Sequence, residues 1–226
     1  MHKKRERPPK ARLSLFDRIS LAASTSRRVD GLWIGSFRGE AEDLTRIVQA
    51  LALVKQHSRV HYSCIINNLE RIWITVLKHN GAEYNRALDA CVFDERFLAH
   101  EDASTNRIAS AILHEATHAR IERYGIIYEE GRRVRIESIC LRRELALAAR
   151  LPDGAQLQQL ISGNLEWHLA NPDFFSDAQF RERRHSGELE ALRHVGMPEW
   201  LIRATPAIQS AIGRVRRLFR MVVTSG

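Results

Sequence analysis

The stretch STNRIASAILHEATHARIERYG, residues 104–125, sets the organisation of the chain. Ser104 or Thr105 can cap a helix N-terminus, and Gly125 supplies the stop after Tyr124. Ile112, Leu113 and Ile121 mark its buried side, while Ala116 and Thr117 are small and uncharged. His114 and His118 are four residues apart, so a helix stacks them on one face, where each offers a nitrogen to one Zn²⁺ ion at about 2.0–2.1 Å. Glu115 is turned about 100° around the axis and reaches a water on the metal rather than the metal itself. Neutral nitrogen donors leave the ion strongly Lewis-acidic, and a carboxylate takes the proton of a water whose pKa falls to about 7.

Such an ion needs a third protein donor. A second helix is expected from Glu129 to about Arg150, ended by Leu151-Pro152-Asp153-Gly154. Glu137 lies on it, separated from His118 by eighteen residues, a length that accommodates a helix end, a turn and a returning helix. It is the first candidate, followed by Glu144 seven residues later on the same face and then by Cys140 as a thiolate. Glu144 or Glu130 also suits the role of orienting a histidine through its other ring nitrogen. Tyr128, in the connection between the two helices, is the candidate oxyanion donor, with Tyr124, Arg135 and His168 behind it.

The HExxH motif followed by a helical glutamate resembles the gluzincin branch of the zinc metallopeptidases over Ile108 to Glu144. The resemblance implies peptide hydrolysis, with Glu115 as general base and proton shuttle. Arg120 stands where that family usually carries an apolar residue. Around Glu137 the chain reads Arg135-Ile136-Glu137-Ser138-Ile139-Cys140, without the family's usual signature.

Towards the N-terminus, Leu44, Ile47, Val48 and Leu51 recur at helical steps, and a helix is favoured over a strand for Tyr62 to Leu69. Asp30-Gly31 precedes a short strand at Leu32-Trp33-Ile34. Strands at residues 72–77 and 88–93 flank Asn80-Gly81, which suggests an antiparallel pair; the second is equally readable as a core strand or as an edge that receives an extended peptide. Beyond Pro152 the pattern is helical, with breaks at Asn171-Pro172 and Met197-Pro198. The expected class is α+β and helix-rich: a small antiparallel sheet on a pair of metal-binding helices, then C-terminal helices. Residues 1–27 are expected to form a basic, flexible tail ahead of a single domain over 28–226.

The formal net charge of +8 draws on Lys3, Lys4, Arg5, Arg7, Lys10 and Arg12 at one end and Arg214, Arg216, Arg217 and Arg220 at the other. Solvated faces are the default reading; contact with nucleic acid or an anionic surface is the alternative. Ile208, Ile212, Val215, Phe219 and Val222 form an apolar stripe near the C-terminus. Three widely spaced cysteines favour a reducing compartment. With no apolar signal segment and no spanning run, a cytoplasmic protein is expected. The sequence thus predicts a zinc-dependent hydrolase with a peptide or protein substrate. The competing reading is a catalytically silent zincin-like module that binds through its basic ends.

Overall fold

A computed structural model describes residues 13, 15–38, 41–79 and 81–203. The chain runs α1 (Leu15–Ala22), β1 (Thr25–Val29), β2 (Leu32–Ser36), α2 (Ala41–His57), α3 (Arg59–Asn68), β3 (Arg71–Thr75), β4 (Ala82–Asn85) and β5 (Ala90–Asp94). The helices α4 (Glu95–Ala99), α5 (Thr105–Arg123), α6 (Glu130–Ala148) and α7 (Ala155–Ala170) follow. A 3₁₀ turn at Pro172–Phe175 then leads into α8 (Asp177–His194). The class is α+β, as expected. None of the described helices is long and apolar enough to cross a membrane.

The sheet has the order β1-β2-β3-β5-β4. β1 and β2 form a hairpin through Asp30 (φ 48°) and Gly31 (φ 86°), the pair of positive φ angles that an Asp-Gly two-residue turn adopts. Two features correct the antiparallel expectation. β2 and β3 are parallel, because α2 and α3 carry the chain back across one face before β3 begins. β3 and β5 are parallel as well, because the chain first lays down β4 one position further out and then returns between them. β5 is therefore an interior strand, buried along its whole length, and β4 and β1 are the two edges.

Alternation along the strands divides the core. Ile34, Ile72, Ile74, Cys91 and Phe93 face α2, α3 and α5, packing on Leu44, Ile47, Leu51, Ile65, Ile108 and Ile112. Trp73, Ala90 and Val92 turn to the opposite face and meet Leu21 and the partly covered Trp33. The structured chain thus begins ahead of residue 28: α1 and β1 occupy part of the expected tail. The basic residues up to Arg12, and the C-terminal arginines and apolar stripe beyond residue 203, lie outside the described residues. Of the four tryptophans, Trp73 is buried, whereas Trp167 and Trp200 are 46% and 70% exposed.

Candidate metal centre

α5 is anchored by its apolar face. Ile108, Ile112 and Leu113 are fully buried, each worth about 1.5–3 kcal/mol, which holds the helix against the sheet while its other face carries polar groups. The Ser104 hydroxyl accepts from the Arg107 N–H at the start. At the end, Gly125 takes φ 74°, its N–H donates to the Glu122 carbonyl, and the Ile126 N–H donates to the Ile121 carbonyl. This paired closure is a Schellman motif, and it lets α6 return alongside α5. On α6 the buried residues Arg133, Glu137, Cys140 and Glu144 recur at three- and four-residue steps.

The facing stripes bring the predicted residues together. His114 Nε2 and His118 Nε2 are 3.0 Å apart. Glu137 Oε2 stands 3.2 Å from the first, and Glu137 Oε1 3.4 Å from the second. Donors held about 2.0–2.1 Å from one tetrahedral ion are separated by roughly 3.3–3.4 Å, close to the spacing of the two imidazole nitrogens, whereas Glu137 meets each of them through a different carboxylate oxygen. The Cys140 sulfur and a nitrogen from each histidine form a group of possible metal donors that all lie within 4.8 Å of one another.

Glu144 stands against the other ring nitrogen of His114, the place named for a carboxylate that orients a histidine. Its Oε1 is 2.6 Å from His114 Nδ1, on the far side of the ring, and its Oε2 accepts from the Ser110 hydroxyl at 2.5 Å. This contact places a proton on Nδ1 and leaves Nε2 free to bind a cation. Ser110 was not recognised from the sequence, although its position one helical turn before His114 is a local signal. Tyr128 reaches the cluster through a contact that its position in the connection did not specify. Its hydroxyl donates to Glu137 Oε1 at 2.6 Å and steadies the carboxylate. Glu130, Tyr124 and Arg135 are exposed. His168 on α7 feels the charges of Glu137, His114 and Glu144, packs against Phe175 and leaves Nδ1 without a hydrogen-bond partner among the described residues.

No family model, curated protein or solved structure matches this chain. Its residues alone carry the functional reading.

The electrostatics of the cluster favour a cation. Three carboxylates, Glu115, Glu137 and Glu144, surround two imidazoles, and all three are at least nine-tenths buried. Burial opposes charge on His114, yet Glu144 and Glu137 outweigh it and hold the ring well above the usual histidine value. Burial likewise opposes charge on His118, but Cys140 and Glu137 push it up to about 10. Burial works against the Glu137 carboxylate too, and its contacts with both histidines nevertheless keep it far below the ordinary range. Glu115 responds in the opposite sense. Burial raises it, only partly offset by His114 and His118, which moves it toward the range of an effective general base.

Proposed function

We propose that the protein is a zinc-dependent hydrolase of peptide bonds. The observation that carries the reading is the convergence of His114 Nε2 and His118 Nε2, 3.0 Å apart, with Glu137 and Cys140 facing them from α6 and Glu115 beside the two histidines on α5. When bound, zinc would supply Lewis acidity, polarising a substrate carbonyl and acidifying a water.

The chain's own residues take defined parts. Glu115 accepts the proton of the attacking water and passes it to the leaving amine, a role suited to a buried carboxylate raised in pKa. Glu144 fixes the tautomer and the orientation of His114, and Tyr128 steadies Glu137. β4 packs beside α5 and is an edge of the sheet, so its outer side offers an extended peptide a strand to pair with. This moves the expected peptide-docking edge from β5 to β4.

Elemental analysis of the purified protein, combined with hydrolysis of a quenched-fluorescence peptide library, tests the reading. Wild type should hold about one zinc per chain, and His114→Ala should lose it. Glu115→Gln should keep the metal and lose at least about 100-fold in rate, the lower end of a general-base contribution. A Glu115→Gln variant as active as wild type would refute the mechanism.

A further inference from the structure

We infer that the Cys140 thiolate, rather than the Glu137 carboxylate, is the third direct donor beside His114 and His118, which keeps a fourth position for water and makes the centre select thiophilic divalent cations such as Zn²⁺ and Co²⁺ over Mg²⁺, Ca²⁺ and Mn²⁺. The inference rests on the reading that His114 and His118 hold a metal.

Three observations support it. The Cys140 sulfur and one nitrogen of each histidine form a mutual group within 4.8 Å. A sulfur 2.3 Å and a nitrogen 2.0–2.1 Å from one tetrahedral ion stand roughly 3.5–3.6 Å apart, so the gap to close is at most about 1.3 Å, within the reach of a rotation about one side-chain bond. The position is also specific. Cys140 lies three residues after Glu137 and four before Glu144, on the stripe of α6 that faces α5, and it is fully buried. The other two cysteines provide the contrast. Cys64 and Cys91 are buried within the apolar cluster between the sheet and its helices, whereas Cys140 belongs to none of the three apolar clusters and sits against two imidazoles.

On binding, the S–H proton leaves to the buffer and a sulfur–metal bond forms, with no change in oxidation state. A thiolate is a soft donor, and soft donors discriminate against hard, oxygen-preferring ions.

Cobalt loading of the full chain tests the proposal by absorption spectroscopy. Wild type with Co²⁺ should show an intense thiolate-to-cobalt charge-transfer band in the near ultraviolet, together with the visible bands of a tetrahedral ion. Cys140→Ser should abolish the ultraviolet band, keep the visible bands and weaken zinc binding by at least about tenfold, while a Cys64→Ser/Cys91→Ser double variant should retain the band. Visible bands without the ultraviolet band in wild type would overturn the thiolate assignment and leave the histidine site standing. Absence of both, with no cobalt retained, would overturn the metal site itself. If Cys140→Ser does not fold, the wild-type spectrum and the double variant still decide.

Discussion

Replacing Glu144 by glutamine probes whether the metal centre is built as the geometry indicates. The side chains are nearly isosteric, so packing between α5 and α6 is kept while the negative charge goes. Glu144 makes two short contacts in a buried setting, 2.6 Å to His114 Nδ1 and 2.5 Å from the Ser110 hydroxyl. A hydrogen bond to a charged group contributes about 1.5–3 kcal/mol, against about 1 kcal/mol for a neutral one. The variant therefore loses on the order of 1–2 kcal/mol of support for the ring that presents Nε2. Outer carboxylates on metal-bound histidines generally account for about 10–100-fold in affinity, which is about 1.4–2.8 kcal/mol. The two estimates overlap near tenfold. Competition between the protein and a zinc-responsive chelating dye measures the dissociation constant directly, and Ser110→Ala should show a smaller loss than Glu144→Gln. A Glu144→Gln protein with zinc affinity within about twofold of wild type would show that this carboxylate does not orient the ligand.

Tyr128→Phe removes the hydroxyl that donates to Glu137 Oε1 and should weaken zinc binding roughly tenfold in the same dye competition; unchanged affinity with a lost rate would instead return Tyr128 to the substrate side. Gly187→Ala places a methyl group on the Lys78 carbonyl oxygen, where α8 meets the segment before β4, and should destabilise the fold by about 1–3 kcal/mol in urea unfolding. Gly163→Ala on α7, with open space around it, should be neutral or stabilising, and equal behaviour of the two would contradict the docking of α8. His61, buried beside Arg143 and Arg150, is lowered from 6.5 to about 4, by burial first and by the two arginines next. Between those values the unfolded chain binds a proton that the folded chain excludes. Stability should therefore fall as pH drops from about 6.5 to about 4, by on the order of 1–2 kcal/mol once solvent screening of the arginines is allowed for. His61→Gln should flatten that slope in urea titrations at several pH values, and an unaltered slope would assign the pH dependence elsewhere.

The features legible in the sequence were those whose causes are local. The His114–His118 spacing, the Ser104 cap, the Gly125 stop and the Asp30-Gly31 turn each depend on residues within one or two turns of each other, and all appear where expected. The choice of helix for α3 was local in the same sense. The chain could also state that Glu137, Cys140 and Glu144 share one face of α6, because helical periodicity alone requires it. Which of them meets which ring nitrogen depends on how α6 lies on α5, and that is set by packing between segments distant in sequence. Tertiary packing thus sent Glu144 to Nδ1 and Glu137 to both Nε2 atoms, left Cys140 beside the pair, and turned Tyr128 onto a carboxylate. The sheet follows the same division. Strand character at β3 and β5 was readable from β-branched and aromatic residues, but parallel pairing and the edge position of β4 depend on the crossover of α2 and α3 and on the return of β5 between its neighbours. Pairing energy comes from partners remote along the chain, so composition within a strand carries the tendency to extend and not the identity of its neighbour.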